Sequence, residues 1–283
     1  SMGDDTPLAV ISGKSRNVSQ FFRQNFAQVT NPPIDSLRER HVMSLRTRYA
    51  NLANILEEED QNDHVLVLES PVLTSHDWAR LRAGFGKNVG DIDCTFRARG
   101  AAADLRFAIE RIRAEAESMV KAGKAEIFLS DEATGPDRIG VPMILAAAAV
   151  HTHLTRKGLR SSASINVRSA ECLDTHTLAV LIGVGATSVN PYLAEAALLA
   201  RHRRGLYGDQ SREEVLGNFR TALEDGLLKI MAKMGISVIS SYRGGYNFEA
   251  VGLSRAITAD LFPGMPNKIS GEGYDSLHVS AAE

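Results

Sequence analysis

Regular alternation of short β-branched runs with amphipathic helical patterns over residues 105–240 is the feature that most restricts the possible folds. Strands that are joined through helices run parallel and are connected by right-handed crossovers. Four such units make about half of an eight-stranded barrel. The sequence therefore predicts an α/β fold, an incomplete, rudimentary (β/α) barrel with mostly parallel strands. The predicted strands are 125–131, 162–167, 186–190 and 236–240, and the predicted helices are 105–123, 141–158, 174–185, 191–205 and 211–234.

The first hundred residues lack this regularity. The predicted elements there are a strand at 8–12, a helix at 17–29 that turns Phe21, Phe22 and Phe26 inward, a helix at 36–56, a strand at 64–70 and a short helix near 75–84. At 283 residues the chain can bury roughly 75% of the surface of its unfolded form. We expect a single domain over 1–283, with a less regular part (1–100), a βα-repeat part (101–262) and a tail (263–283).

Composition and charge exclude several classes of protein. The hydrophobic fraction of 44%, the charged fraction of 23% and the net charge of −2 are typical of an ordinary soluble protein and argue against a nucleic-acid or membrane-surface binder. Cys94 and Cys172 cannot supply a disulfide framework or a four-ligand metal site. No apolar run approaches the ~20 residues of a membrane span, and SMGDDTPLAV lacks the pattern of a signal peptide. We therefore expect a cytoplasmic location.

The stretch 225–253 is predicted to form a helix–strand–loop–helix unit. Gly235 supplies the helix stop, 236–240 the strand, and 248–253 the start of a second helix. Arg243, Gly244 and Gly245 fall in the loop after the strand, where α/β proteins usually build their sites. Glycine N–H groups and an arginine can hold a phosphate or carboxylate there. A tight turn with a structural arginine is the competing interpretation.

Other candidate motifs are weaker. His151 and His153 lie two residues apart on a predicted helix, about 200° from one another, so they cannot share a metal. Asp174 is placed as a helix N-cap. Gly183 and Gly185 end a predicted helix and precede a strand, which is the reverse of a dinucleotide-binding fingerprint. We expect no metal and no catalytic residue in this chain.

Several long strings resemble the central domain of the glutamate synthase large (alpha) subunit, and the resemblance runs from the first residues to about Gly273. The strings are SMGDDTPLAVISGKSRNVSQFFRQNFAQVTNPPIDSLRE, VHTHLTRKGLR, HTLAVLIGVGATSVNPYLA and GLLKIMAKMGISVISSYRGGYNFEAVGL. The resemblance implies a domain that lies between an N-terminal glutaminase domain and a C-terminal FMN domain of the same chain. Such an enzyme hydrolyses glutamine, passes ammonia through an internal tunnel and reduces the adduct with 2-oxoglutarate to glutamate.

The resemblance also sets expectations for cofactors and partners. FMN and an iron–sulfur cluster belong to the neighbouring domain, none to this chain, and a small NAD(P)H-oxidising subunit is a possible further partner. The isolated chain is expected to be inactive, serving as a linker and scaffold that helps wall the ammonia tunnel. An alternative is a free-standing β/α-barrel enzyme that binds a phosphate or carboxylate at the Arg243 loop.

Residues expected to face the tunnel or the flavin domain fall into three groups. Met2, Gly3 and Asp4 form a small-residue loop before the first predicted strand. Thr30 and Asn31 precede a rigid Pro-Pro pair and can present a hydroxyl and an amide, although a capped turn explains them equally well. Arg243, Gly244 and Gly245 are the third group.

Overall fold

The computed structural model describes residues 7–26, 38–50, 65–98 and 103–282. Its strands are β1 (Phe22–Gln24), β2 (Thr47–Tyr49), β3 (Leu66–Leu68), β4 (Val89–Asp93), β5 (Thr95–Arg97), β6 (Glu126–Ser130), β7 (Arg138–Gly140), β8 (Ser164–Arg168), β9 (Ser188–Asn190), β10 (Phe248–Leu253) and β11 (Asn267–Glu272). Its α-helices are α1 (Glu39–Val42), α2 (Ser75–Phe85), α3 (Ala103–Lys121), α4 (Met143–Arg156), α5 (Thr175–Gly183), α6 (Tyr192–Arg203), α7 (Arg212–Met234), α8 (Ile239–Tyr242), α9 (Arg255–Leu261) and α10 (Tyr274–Ala282).

The central sheet has four parallel strands in the order β4-β6-β8-β9. Helices α3, α4 and α5 lie between successive strands of this sheet along the chain. Strand neighbours in the sheet are therefore also successive βα units, which is the arrangement of a barrel that has not closed. The predicted α/β class and incomplete (β/α) barrel with mostly parallel strands are confirmed. The fourth parallel strand is β4, however, and not the predicted strand at 236–240.

Helices in the regular part of the chain follow their local signals. Asp174 caps α5 by accepting a hydrogen bond from Thr177 N at 2.7 Å. Gly235 follows α7 with φ 69°, the left-handed conformation that ends many helices. The alanine-rich α4 is buried along its first eight residues, because its small side chains allow close packing on every side. These predictions are confirmed.

The predicted strand at 236–240 is wrong. Val238 makes one isolated parallel bridge with Ser44, and Ile239 then begins the short helix α8. Within this run Ile239 is fully buried, whereas Val238 is 40% exposed. A short β-branched run fits a helical turn as well as a strand, so its length could not decide between them.

The predicted helix beginning at 248 is also wrong, because these residues form strand β10. It pairs antiparallel with β1, where Ala250 lies opposite Phe22, and parallel with β11. Gly271 lets β11 approach β10 closely, because a Cβ on it would meet the Gly252 carbonyl oxygen at 2.4 Å. Pairing with a strand more than two hundred residues upstream overrides the local helical pattern.

The structure differs most from the predicted elements before residue 50. In place of the strand predicted at 8–12 there is a 3-10 turn over Ala9–Ile11. In place of the helix predicted at 17–29 there is a 3-10 turn over Val18–Phe21 followed by β1, and residues 27–29 lie outside the described residues. Phe21 and Phe22 are buried as expected, but Phe26 is 48% exposed. The long helix predicted at 36–56 is represented, within the described residues, by the single turn α1 and then by β2. Residues 51–56 lie outside the described residues.

Candidate functional site

The central sheet has one apolar face and one polar face, because successive side chains of a strand point to opposite sides. The face covered by helices carries Ile92, Ile127, Leu129, Ile165 and Val167, all buried. The opposite face would be the interior of a closed barrel. Its aligned rows are Val89, Glu126 and Ser164; then Asp91, Phe128, Asn166 and Ser188; and finally Asp93, Ser130, Arg168 and Asn190.

Side chains from the less regular N-terminal part cover this polar face. Trp78 of α2 packs edge-on against Phe128 with ring centroids 4.6 Å apart. Tyr49 and Leu73 join them in a separate apolar cluster. Asn190 is engaged as well, since its Nδ2 donates to the Leu73 carbonyl at 2.9 Å. In a closed barrel the interior is filled by layers of strand side chains, whereas here the preceding segments fill it.

A cleft of about 730 Å³ lies over the carboxyl ends of β4, β6 and β8. Its charged residues are paired with one another or with residues at its margin. Arg82 donates from Nε and Nη2 to the two carboxylate oxygens of Asp91, and Arg168 donates to Glu132 at 2.9 Å. Asp93 is bound by Arg138 at 2.5 Å. The cleft thus presents few charges that are free to bind a ligand.

Two carboxyl groups beneath this end hold the backbone of the loops. Asp131 accepts from Ala170 N at 2.9 Å, and Glu171 accepts from Met143 N, at the start of α4, at 2.8 Å. Burial raises the pKa of Glu171 to about 7, and it also raises the pKa of Asp131. Because each carboxyl is engaged with backbone N–H groups, the pair organises the loops rather than presenting an acid to solvent.

At the amino end of the sheet, a hydrogen-bonded chain of buried polar side chains crosses three strands. Asn166 Nδ2 donates to Glu126 Oε2 at 2.6 Å, and Ser188 Oγ donates to Asn166 Oδ1 at 2.6 Å. Ser164 accepts from Ala50 N at 3.0 Å, which holds Ala50 in a left-handed conformation with φ 86°. Burial raises the pKa of Glu126 to about 7, although the Asn166 hydrogen bond opposes that rise.

The predicted Arg243-Gly244-Gly245 loop lies at this same amino end. Gly244 N donates to the Ile182 carbonyl at 3.1 Å, and Arg243 Nη2 reaches the Thr187 carbonyl, just before β9, at 3.5 Å. Burial lowers the pKa of Arg243. Sites in β/α barrels are built at the carboxyl ends of the strands. The turn is at the opposite end because 236–240 is not a barrel strand.

His151 is a structural residue behind this turn. Its Nδ1 accepts from Arg160 Nε at 3.0 Å, so the proton of the neutral ring is on Nε2. Burial and the charges of Arg160 and Arg243 lower the pKa of His151 to about 3. Arg160 also donates to the Ala163 carbonyl at 2.6 Å and the Gly185 carbonyl at 2.9 Å. The arginine thus ties α4 to the strand connections.

The other residues singled out from sequence, Met2, Gly3, Asp4, Thr30 and Asn31, lie outside the described residues. Within the described ranges, no group of three or more histidine, cysteine or acidic side chains could hold a metal ion. The same part of the chain contains no helix long and apolar enough to cross a membrane.

Sequence reasoning missed the polar face itself. A signal for it was present: Ser164, Asn166 and Arg168 alternate with apolar residues along one strand, and Ser188 and Asn190 do so along the next. Alternation of this kind indicates a strand with one polar side. The half-buried Arg160 was also missed, because two of its three acceptors, His151 and Gly185, belong to other elements of the fold.

Comparison with known proteins gives a family for the chain. The model of the glutamate synthase central domain matches residues 1–254. The chain is 56% identical to the glutamate synthase [NADPH] large chain of Azospirillum brasilense, over 100% of this chain and 19% of that protein. It is 40% identical to the chloroplastic ferredoxin-dependent glutamate synthase of Oryza sativa subsp. japonica, over 98% of this chain and 18% of the relative. The chain thus spans less than a fifth of the length of these relatives.

Proposed function

The chain belongs to the family of glutamate synthase central domains, and from that premise we propose that it is the linker and scaffold domain of a glutamate synthase large subunit. It joins a glutaminase domain to an FMN domain of the same polypeptide and helps wall the ammonia route between them. The whole enzyme converts glutamine, 2-oxoglutarate and reductant to two glutamates in the cytoplasm. This chain spaces and couples the two active sites without performing a chemical step.

The filling of the polar sheet face is the observation that carries this proposal. Tyr49, Leu73 and Trp78 pack on the face of β6 that other strands of a closed barrel would cover, so segments from outside the repeats complete this half-barrel. At the carboxyl ends of the strands, the charged groups are engaged in ion pairs such as Arg168–Glu132. A surface organised in this way supports a structural role better than a ligand-binding one.

The remaining parts of the proposed enzyme supply its cofactors. FMN and the iron–sulfur cluster reside in the neighbouring C-terminal domain. The relative from A. brasilense is named for NADPH, which favours a small NAD(P)H-oxidising subunit as the electron source. We assign Met2, Gly3, Asp4, Thr30 and Asn31 to the surface that faces the tunnel or the flavin domain.

The turn at 243–245 contributes to the interface with the flavin domain through its exposed residue. Gly245 is exposed and faces the flavin domain in this proposal. Arg243 and Gly244 hold the turn from inside, through the Thr187 and Ile182 carbonyls.

Coupling of the two half-reactions in the whole synthase tests the role. Thr30→Val is expected to leave glutamine hydrolysis intact while part of the ammonia escapes, so that less than one glutamate forms from 2-oxoglutarate per glutamine consumed. Thr221→Val, an exposed threonine on α7, is the matched control and stays stoichiometric. Unchanged stoichiometry in Thr30→Val, Asn31→Leu and their double variant would remove the tunnel-wall role. Turnover of glutamine plus 2-oxoglutarate by the isolated chain would contradict the scaffold role.

A further inference from the structure

Strand β11 lies at an edge of the small sheet β1-β10-β11. It pairs in parallel with β10 and has no strand on its other side within the described residues. Both of its ends are anchored, since Asn267 Nδ2 donates to the Leu253 carbonyl at 3.0 Å and the Glu272 carbonyl accepts from Ser254 N at 2.8 Å. The edge is therefore held in place, and an edge of this kind presents backbone N–H and C=O groups to a further strand.

Three exposed aliphatic side chains lie in segments that meet at this edge. Ile269 of β11 is 47% exposed. Ile11, 72% exposed, follows Val10, whose Cγ2 would lie 2.8 Å from a Cβ on Gly271 of the same strand. Val279, 56% exposed, is on α10, which packs beside β11. Large apolar side chains that are exposed in one region are typical of a surface that contacts another protein.

The sequence of β11 is complementary to itself in one antiparallel arrangement. When two copies are related by a two-fold axis at Ser270, Lys268 lies opposite Glu272 of the second copy, and Ile269 lies opposite Gly271. This register forms two pairs of opposite charge and leaves room beside each exposed isoleucine. Every other antiparallel register separates Lys268 from Glu272. A parallel pair in register would place lysine against lysine, and like charges directly opposite each other are destabilising.

We propose that β11, together with Ile11 and Val279, is a self-association surface through which two copies of the chain pair β11 antiparallel about an axis at Ser270. The two-fold axis makes the interface isologous, so one surface serves both copies. The charge pattern favours a second copy over an unrelated strand, because an exposed lysine on an edge opposes the addition of a strand that lacks an acidic residue opposite it.

Lys268 can form the intermolecular pair without losing a strong contact. Its side chain is 80% exposed, and its ion pair with Glu249 has a separation of 3.4 Å. Exposed pairs of this kind contribute little to stability, so the ammonium remains available to Glu272 of the second copy. The association is independent of the scaffold role, because it uses none of the residues assigned to the tunnel or to the flavin domain.

Cysteine cross-linking in the full-length polypeptide that contains this chain tests the register directly. Opposite residues of an antiparallel pair have Cα atoms about 4.5–5.5 Å apart, which is within the range that a disulfide bridges. Under mild oxidation, Ser270→Cys is expected to give a disulfide-linked dimer. Lys268→Cys should not link to itself, because the two copies of this residue are four positions, or about 13 Å, apart along the strands. Adding Glu272→Cys to Lys268→Cys should produce the linked dimer again.

The reactivity of the unlinked thiol identifies the other possible states of this edge. A free thiol in Ser270→Cys that reacts with maleimide would show that the edge is unoccupied. An unlinked thiol that is protected from maleimide would show that another part of the polypeptide covers it. Either result overturns the proposal, as does a disulfide-linked dimer of Lys268→Cys alone.

Charge reversal is a second test, and it leaves the backbone of β11 intact. Lys268→Glu is expected to raise the dissociation constant of the dimer about tenfold or more, because it opposes two glutamates at two symmetric positions. Glu272→Lys should do the same, and the double variant should restore association. Sedimentation velocity of the full-length polypeptide measures all three, with Lys229→Glu, at an exposed position on α7, as the matched control. Equal dissociation constants for Lys268→Glu and Lys229→Glu, or no recovery in the double variant, would overturn the pairing.

Discussion

Gly244 lies directly against the imidazole of His151, so that a Cβ on Gly244 would stand 2.7 Å from Cε1 and 2.8 Å from Nε2 of that ring. Gly185 approaches the same ring, where its Cβ would be 2.3 Å from Cγ. The histidine is therefore enclosed between two glycines of different connections. This contact gives Gly244 a packing role that does not require an anion.

Gly244→Ala should be strongly destabilising. Gly244 has φ 67°, which costs a residue with a Cβ about 1–2 kcal/mol, and the clash with His151 adds about 1–3 kcal/mol. Gly205→Ala is the matched control, because Gly205 has φ 72° and no atom of the described residues lies within 4 Å of a Cβ placed there. Urea unfolding measures both free energies. Equal losses in the two variants would show that the His151 contact contributes nothing.

Glu126→Gln should alter the pH dependence of stability. Burial raises the pKa of Glu126 from 4.5 to about 7 in the folded protein. The carboxyl is thus more easily protonated when folded, so its favourable contribution is complete below pH 4.5 and is lost as the pH rises through about 7. The loss is on the order of 3 kcal/mol.

The neutral amide that Glu126→Gln introduces does not titrate, so the stability of the variant relative to the unaltered protein should increase as the pH rises from about 5 to about 8. Urea unfolding at several pH values in this window measures the difference. Burial also raises the pKa of Glu171 to about 7, but its contribution to the pH dependence of stability is the same in both proteins and cancels in the difference. A difference that stays constant with pH would contradict the assignment.

Phe128→Ala should loosen the packing of Tyr49, Leu73 and Trp78 on the polar sheet face. Phe128 is 1% exposed and supports Trp78, so its loss should cost about 3–5 kcal/mol. Trp78 is the single tryptophan, and its fluorescence should move toward the emission of a solvated indole. Phe107→Ala, at a position 68% exposed on α3, should stay within about 0.5 kcal/mol. Unchanged emission in Phe128→Ala would show that Phe128 does not keep Trp78 buried.

Arg160→Lys should be costly despite keeping the charge. One ammonium cannot replace three directed donations to His151, Ala163 and Gly185, and the carbonyls left unsatisfied cost about 1–3 kcal/mol each. Arg40→Lys, in a solvent-exposed pair with Asp225, is the control and should change stability by less than about 1 kcal/mol. The free energy of unfolding checks both. Equal effects would mean that charge alone matters at Arg160.

Local sequence determined the elements whose signals lie within them. The periodicity of α3, the alanine run of α4, the Asp174 cap and the Gly235 stop all act over a few residues. Strands β6, β8 and β9 are bounded by such helices, so their alternation already implied parallel strands and an unclosed α/β barrel. Family membership was likewise accessible, because it rests on long strings of residues.

Tertiary structure decided everything that depended on distant partners. Residues 248–253 are a strand because β1 and β11 satisfy their backbone groups, although their own pattern suited a helix. The turn at Arg243 lies at the amino end of the sheet because the preceding apolar run entered α8 rather than the barrel. The hydrogen-bonded chain of Glu126, Asn166 and Ser188 across β6, β8 and β9 was likewise invisible in the sequence. Helix caps and helical periodicity depend on interactions between residues that are close in sequence. Strand pairing and buried polar networks depend on residues that only the packing of the whole chain brings together.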